Sequence, residues 1–240
     1  VAAGVTAPAV SWLLAEGATG DQFDEFILLA NPTLTPTVVR IAYLQSAGTA
    51  CTKDYALGAS GRETIWVNYQ ECPAGSGEYP FGAAELSAIV TSLDPEVPIL
   101  VERAMWWPRT GWTEGHVSAG TTVTGTKWAL AEGEMGGPRN ASTWILVANT
   151  SAWAGRARVT LLFEDGTTDA LEVDVAANSR TTVGGFLFPR AAGRRFGAIV
   201  EAFATGGNPP PQVVVERAMY TDSGGVHWAA GTNAVATRLQ

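Results

Sequence analysis

Val101-Glu102-Arg103-Ala104-Met105 returns unchanged as Val215-Glu216-Arg217-Ala218-Met219, and working outward from this pentapeptide exposes a duplication that decides the reading of the fold. Trp12-Leu13-Leu14-Ala15-Glu16-Gly17 recurs as Trp128-Ala129-Leu130-Ala131-Glu132-Gly133, and Ile27-Leu28-Leu29-Ala30-Asn31 as Ile145-Leu146-Val147-Ala148-Asn149. Arg62 with Thr64 returns as Arg180 with Thr182, Ala88-Ile89-Val90 as Ala198-Ile199-Val200, and His116 with Ala119-Gly120-Thr121 as His227 with Ala230-Gly231-Thr232. The order is kept while the spacing between blocks varies, as it does when two copies of one fold differ in their loops.

Within each copy the period is two. Ala157, Val159, Leu161 and Phe163 fall on one side of their strand, and after Glu164-Asp165-Gly166 Leu171, Val173 and Val175 alternate with Glu172 and Asp174, which reads as a hairpin with one wet face. Val39, Ile41 and Tyr43 repeat the pattern in the first copy. With 27 Gly and 13 Pro and no convincing helix, the chain is expected to be all-β: two tandem immunoglobulin-like antiparallel β-sandwich domains of about seven strands each. The expected organisation is an extended arm over 1–11, a first sandwich over 12–120, a second over 121–231 and a tail or linker over 232–240.

These motifs resemble a bacterial immunoglobulin-like repeat that occurs in tandem in large secreted or surface-anchored proteins and has no assigned activity. The W-x-L-A-E-G opening, the L-L-A-N strand, the V-E-R-A-M strand and the closing G-H-x-S/A-A-G carry the likeness, which spans both copies almost end to end. The resemblance implies an extracellular, modular, non-enzymatic role.

Composition excludes several classes. A net charge of −8 and a pI near 4.8 argue against nucleic-acid and anionic-membrane partners. No apolar run reaches the ~20 residues of a membrane-spanning helix, so no membrane insertion is expected. G-x-S-x-G, Walker A, H-E-x-x-H and dinucleotide fingerprints are absent, and neither a cofactor nor a catalytic residue is expected.

Cys51 and Cys72 are the two cysteines; with no further ligands near them a disulfide is favoured over zinc, and with it an oxidising compartment. Glu102 and Glu216 would be the carboxylates of a glycosidase, yet a motif kept in both copies fits a structural role better, and strand neighbours face opposite sides. Ion pairs of Arg103 with Glu16, and of Arg217 with Glu132, are expected to fix strand register. His116 and His227 read as equivalent structural residues. Asp21, Asp24 and Glu25 could hold Ca2+, but the second copy has Gly136-Gly137-Pro138-Arg139 there, and a solvated acidic loop is favoured, with no metal expected.

Nine tryptophans are the surplus. Trp12 and Trp128, Phe26 and Trp144, and Trp106 and Tyr220 pair between copies and are assigned to cores, leaving Trp107, Trp112 and Trp153 for an interface or a sugar ligand. The apolar, uncharged stretch holding Val1, Val5 and Val10 reads as a donor strand for a neighbour's sheet edge and hence a route to a filament, the alternative being a segment cut from a longer array. The expected function is a secreted or cell-surface structural and adhesive protein of the bacterial envelope; the alternative is a carbohydrate-binding module using the Trp-rich loop. Expected partners are further copies of the chain or other surface proteins, or polysaccharide.

Overall fold

The alternation read at Arg156–Phe163 places Ala157, Val159, Leu161 and Phe163 inward, all buried, and leaves Arg156 and Arg158 outside with Glu172 and Asp174 of the next strand. The computed structural model describes residues 4–240 and divides the chain into two units, Val1–Gln45 with Thr49–Thr122 and Ser46–Gly48 with Val123–Gln240. The described residues contain strands and three short 3-10 turns, with no α-helix.

The first unit contains β1 (Ser11–Leu14), β2 (Asp24–Ala30), β3 (Thr37–Gln45), β4 (Gly48–Leu57), β5 (Arg62–Trp66), β6 (Ser87–Ser92), β7 (Leu100–Trp107) and β8 (Glu114–Ala119). They form two four-stranded sheets, β1-β6-β3-β4 and β5-β2-β7-β8. One apolar cluster, including Trp12, Ile27, Ile41, Phe81 and Val101, takes side chains from both.

The second unit contains β9 (Lys127–Leu130), β10 (Glu134–Met135), β11 (Ser142–Asn149), β12 (Gly155–Phe163), β13 (Thr168–Val175), β14 (Ser179–Gly184), β15 (Arg194–Ala204), β16 (Val213–Ser223), β17 (Val226–Val235) and β18 (Thr237–Arg238). Its sheets run β13-β12-β15-β9-β18, with β10 also on β15, and β14-β11-β16-β17. The strand order of the first unit is thus repeated.

Four small sheets replace the two tandem immunoglobulin-like sandwiches expected from the sequence. In the immunoglobulin order the first strand lies beside the second and the seventh beside the sixth. Here β1 pairs with β6 and β7 with β2. Alternation fixes which residues of a strand face inward but carries nothing about which strands are neighbours, so the correction falls on the order.

Residues 9–10 and the segment from 232 onward are built into the units. The Ala9 N–H donates to Ile99 O (3.0 Å) and the Ile99 N–H to Ala9 O (2.9 Å), the Ser92 N–H donates to Val10 O (2.8 Å), and Val5 packs on the first core. The donor strand expected at Val5 and Val10 therefore uses its edge within its own unit, and the filament reading is corrected accordingly; Val1 lies outside the described residues. Residues 232–240, expected as a tail or linker, supply the end of β17 and all of β18, which pairs with β9.

Cys51 and Cys72 form a disulfide, Cα to Cα 6.2 Å, closing a sequence separation of 21. It is compatible with an oxidising, extracellular setting. Beside it, the Tyr43 and Tyr55 hydroxyls lie 2.9 Å apart and the Tyr55 O–H donates to Gln70 Oε1 (3.1 Å). Burial pushes Tyr55 up to about 12, and raises Tyr43 well above the ordinary tyrosine value. No helix among the described residues is long and apolar enough to cross a membrane.

Candidate functional site

On β2 the odd residues Glu25, Ile27 and Leu29 face the core, so Asp24, Phe26 and Leu28 face outward. Register sets Phe26 opposite Trp66 on β5 and Asp24 opposite Trp106 on β7, with Trp106 opposite Gly115 on β8. A Cβ at Gly115 would fall within 2.9 Å of three carbons of the Trp106 indole, so this close approach requires glycine. An aromatic corner results on the outer face of β5-β2-β7-β8.

Asp24 is its hub. Though an outward-facing aspartate, it is only 2% exposed, because the aromatic side chains close over it. Its Oδ1 accepts the Trp66 indole N–H (2.9 Å) and pairs with Arg109 Nε (3.1 Å), and its Oδ2 accepts the Trp112 indole N–H (2.7 Å). Arg109 also donates to Gly20 O (3.3 Å) and to the Tyr69 hydroxyl (2.7 Å), with its guanidinium 5.7 Å from the Tyr69 ring centre. The rings meet edge to face: Trp66–Trp112 at 5.6 Å, Phe26–Trp112 at 5.6 Å and Trp66–Tyr69 at 4.7 Å.

Trp112 sits at φ 48°, a left-handed conformation that costs a bulky residue roughly 1–2 kcal/mol. The Asp24 bond and a turn bond from the Trp112 N–H to Pro108 O (2.9 Å) hold it there. Trp112 is nevertheless 41% exposed, Trp106 37% and Tyr69 52%. With both hub indoles donating inward, the corner presents ring surface, the Tyr69 hydroxyl, and the terminal N–H groups that Arg109 does not spend internally.

The tryptophan assignments change. Trp107, expected at an interface or ligand site, is fully buried and packs edge-on against Phe23 (5.7 Å) and His116 (5.3 Å). Trp106 and Phe26, assigned to the core, stand on the outer face. Trp153 is half-buried in the second unit, its carbonyl accepting the Asn149 Nδ2–H (2.9 Å). Trp66 and Tyr69 were missed; Trp66 could have been found from its place one residue beyond a buried strand position, Ile65.

The acidic trio does not converge. Asp24 faces the indoles while Glu25 points inward beside Gly17, and among the described residues no cluster of three or more potential ligands is placed to hold a metal.

Within the first unit the Arg103 guanidinium, fully buried, donates to Glu16 O (2.6 Å), Glu16 Oε2 (2.5 Å) and Ser118 Oγ (2.8 Å), and His116 Nε2 lies 3.5 Å from Glu16 Oε1. In the second unit Arg217 pairs with Glu132, whose side chain is 65% exposed at a cleft of about 500 Å³ lined also by Glu134, Arg139 and Phe196. The neighbouring carboxylates split by face and unit: Glu102 is exposed and Glu216 buried.

The histidines are not equivalent. His116 lies opposite Met105, whereas Thr232 lies opposite Met219; His227 is exposed, 3.1 Å from Asp222. The last repeat block is therefore out of register with the sheets.

No family model matches the chain, and no curated protein matches it. Among solved structures, it is similar to "Crystal Structure of Thermotoga maritima 1070" at 17% identity and TM-score 0.39, covering 48% of this chain and 94% of that one. It is also similar to "Anabaena sensory rhodopsin transducer" at 18% identity and TM-score 0.34, covering 41% and 85%. The exo-chitosanase CsxA of Amycolatopsis orientalis aligns at 13% identity and TM-score 0.23, covering 94% of this chain and 24% of that one.

Proposed function

We propose that this chain is a non-catalytic extracellular adhesive module that attaches to bacterial envelope material through the aromatic corner of its first unit. The observation that carries the reading is the Asp24 hub: one buried carboxylate holds two indoles, one of them at a positive φ, with ring surface open to solvent. Strain kept in place by surrounding bonds, and large aromatics left exposed, are features of surfaces shaped for binding. The disulfide supports an extracellular setting for that surface.

The test is co-sedimentation of the purified protein with isolated bacterial envelopes. Wild type binds, and a Trp106→Ala/Trp112→Ala double variant of unchanged thermal stability loses about tenfold or more in affinity, the scale of an interface hot spot. Equal binding by the two proteins would refute the assignment of the surface.

A further inference from the structure

The chemistry of the corner narrows what it binds. Trp66 on β5 and Trp106 on β7 flank β2, two residues apart in register. Strand spacing of roughly 4.8 Å and a rise of roughly 3.4 Å per residue separate them by about 12 Å on the diagonal. Trp112 packs against Trp66, and Tyr69 stands beyond Trp66. Trp106, Trp112 and Tyr69 are exposed while Trp66 is half-buried between Trp112 and Tyr69, so the open ring surface forms an extended track suited to several linked rings of a ligand.

Charge selects the class. Asp24 and Arg109 are paired at 3.1 Å, so the corner carries no net charge of its own. A cationic ligand would have to displace Arg109 from the only carboxylate of the hub, and a polyanion would meet a chain of net charge −8. Because the Trp66 and Trp112 indole N–H groups already donate to Asp24, the rings offer faces rather than donors. Hydrogen bonding is left to Arg109 and the Tyr69 hydroxyl at the edge. Apolar faces edged by a few donors match a neutral pyranose, whose C–H face is apolar and whose rim is hydroxyl.

Resting on the adhesive reading above, we infer that the aromatic corner binds a neutral polysaccharide, with sugar rings stacked on Trp106 and Trp112, which Trp66 backs from beneath, and hydroxyls held by Arg109 and Tyr69.

The test uses the full chain against insoluble cellulose, chitin and xylan, with anionic alginate beside them and the envelope assay run in parallel. Retention is expected on at least one neutral polymer, competed by soluble oligosaccharides of the same polymer. Trp112→Ala should lower affinity about tenfold or more. Tyr69→Phe, which removes only the hydroxyl and keeps the ring that packs on Trp66, should lower it measurably.

Retention on a neutral polymer that neither variant changes would overturn the inference, as would preference for alginate. Envelope binding with no retention on any neutral polymer would overturn the inference and leave the adhesive reading standing. Loss of both kinds of binding in the wild type would remove both.

Discussion

Replacing Arg103 with Met should cost far more than the same change at Arg217, although the two arginines hold matching places in the repeat. Arg103 is fully buried, Glu16 is 2% exposed, and the guanidinium satisfies a carboxylate, a carbonyl and a serine hydroxyl. Arg103→Met leaves the Glu16 carboxylate in the core with its strongest partner gone. Breaking a buried pair from one side costs about 3–5 kcal/mol.

Arg217→Met instead releases Glu132 to water, since that side chain is already 65% exposed, and should cost about 1 kcal/mol. For a unit of this size, an unfolding entropy of roughly 0.25 kcal/mol/K turns these figures into Tm losses of about 12–20 °C and about 4 °C. Calorimetry with a two-transition fit measures both. A Glu16→Gln/Arg103→Met double variant should recover more than half of the Arg103→Met loss, because the stranded charge is gone. Equal losses at the two arginines, or less than about 1 kcal/mol at Arg103, would refute the burial argument.

Two further outcomes follow from the first unit. Reducing the Cys51–Cys72 bond, or a Cys51→Ser/Cys72→Ser variant, should lower that unit's stability by about 3 kcal/mol on the chain-entropy estimate while leaving the second transition in place; urea titration with and without reductant reads this. Tyr55 is held up to about 12 in the folded chain against 10.0 for the free group, so its contribution is complete below pH 10 and is lost as pH rises toward 12. Tyr55→Phe should show a shallower fall in Tm across that window, and an identical fall would contradict it.

Strand identity was legible because one face of each strand is apolar: the period of two at Arg156–Phe163 is the pattern the sheet displays. Strand order was not, since hydrophobic alternation is indifferent to which neighbour supplies the hydrogen bonds. The same alternation contained the answer for the tryptophans. Val101, Arg103 and Met105 face inward, so Trp107 must join them and Trp106 must face out. Aligning Trp106 with Tyr220 obscured that parity.

Asp24 looked like part of an acidic loop because nothing in the sequence tells that Trp66 and Trp112, far apart in the chain, bring their indole N–H groups to it. The end of the repeat misled for a different reason. The β16–β17 hairpin places His227 near its turn, so matching histidines shifted the register and made strand residues 232–235 look like linker.

Hydrogen–deuterium exchange on the envelope-bound protein tests the central claim most directly. Protection gained on binding should concentrate in residues 23–28, 64–70 and 104–115, around the Asp24 hub, and should vanish in Trp106→Ala/Trp112→Ala. Protection centred on the second unit, or on the first unit away from these three segments, would contradict the assignment of the aromatic corner as the binding surface.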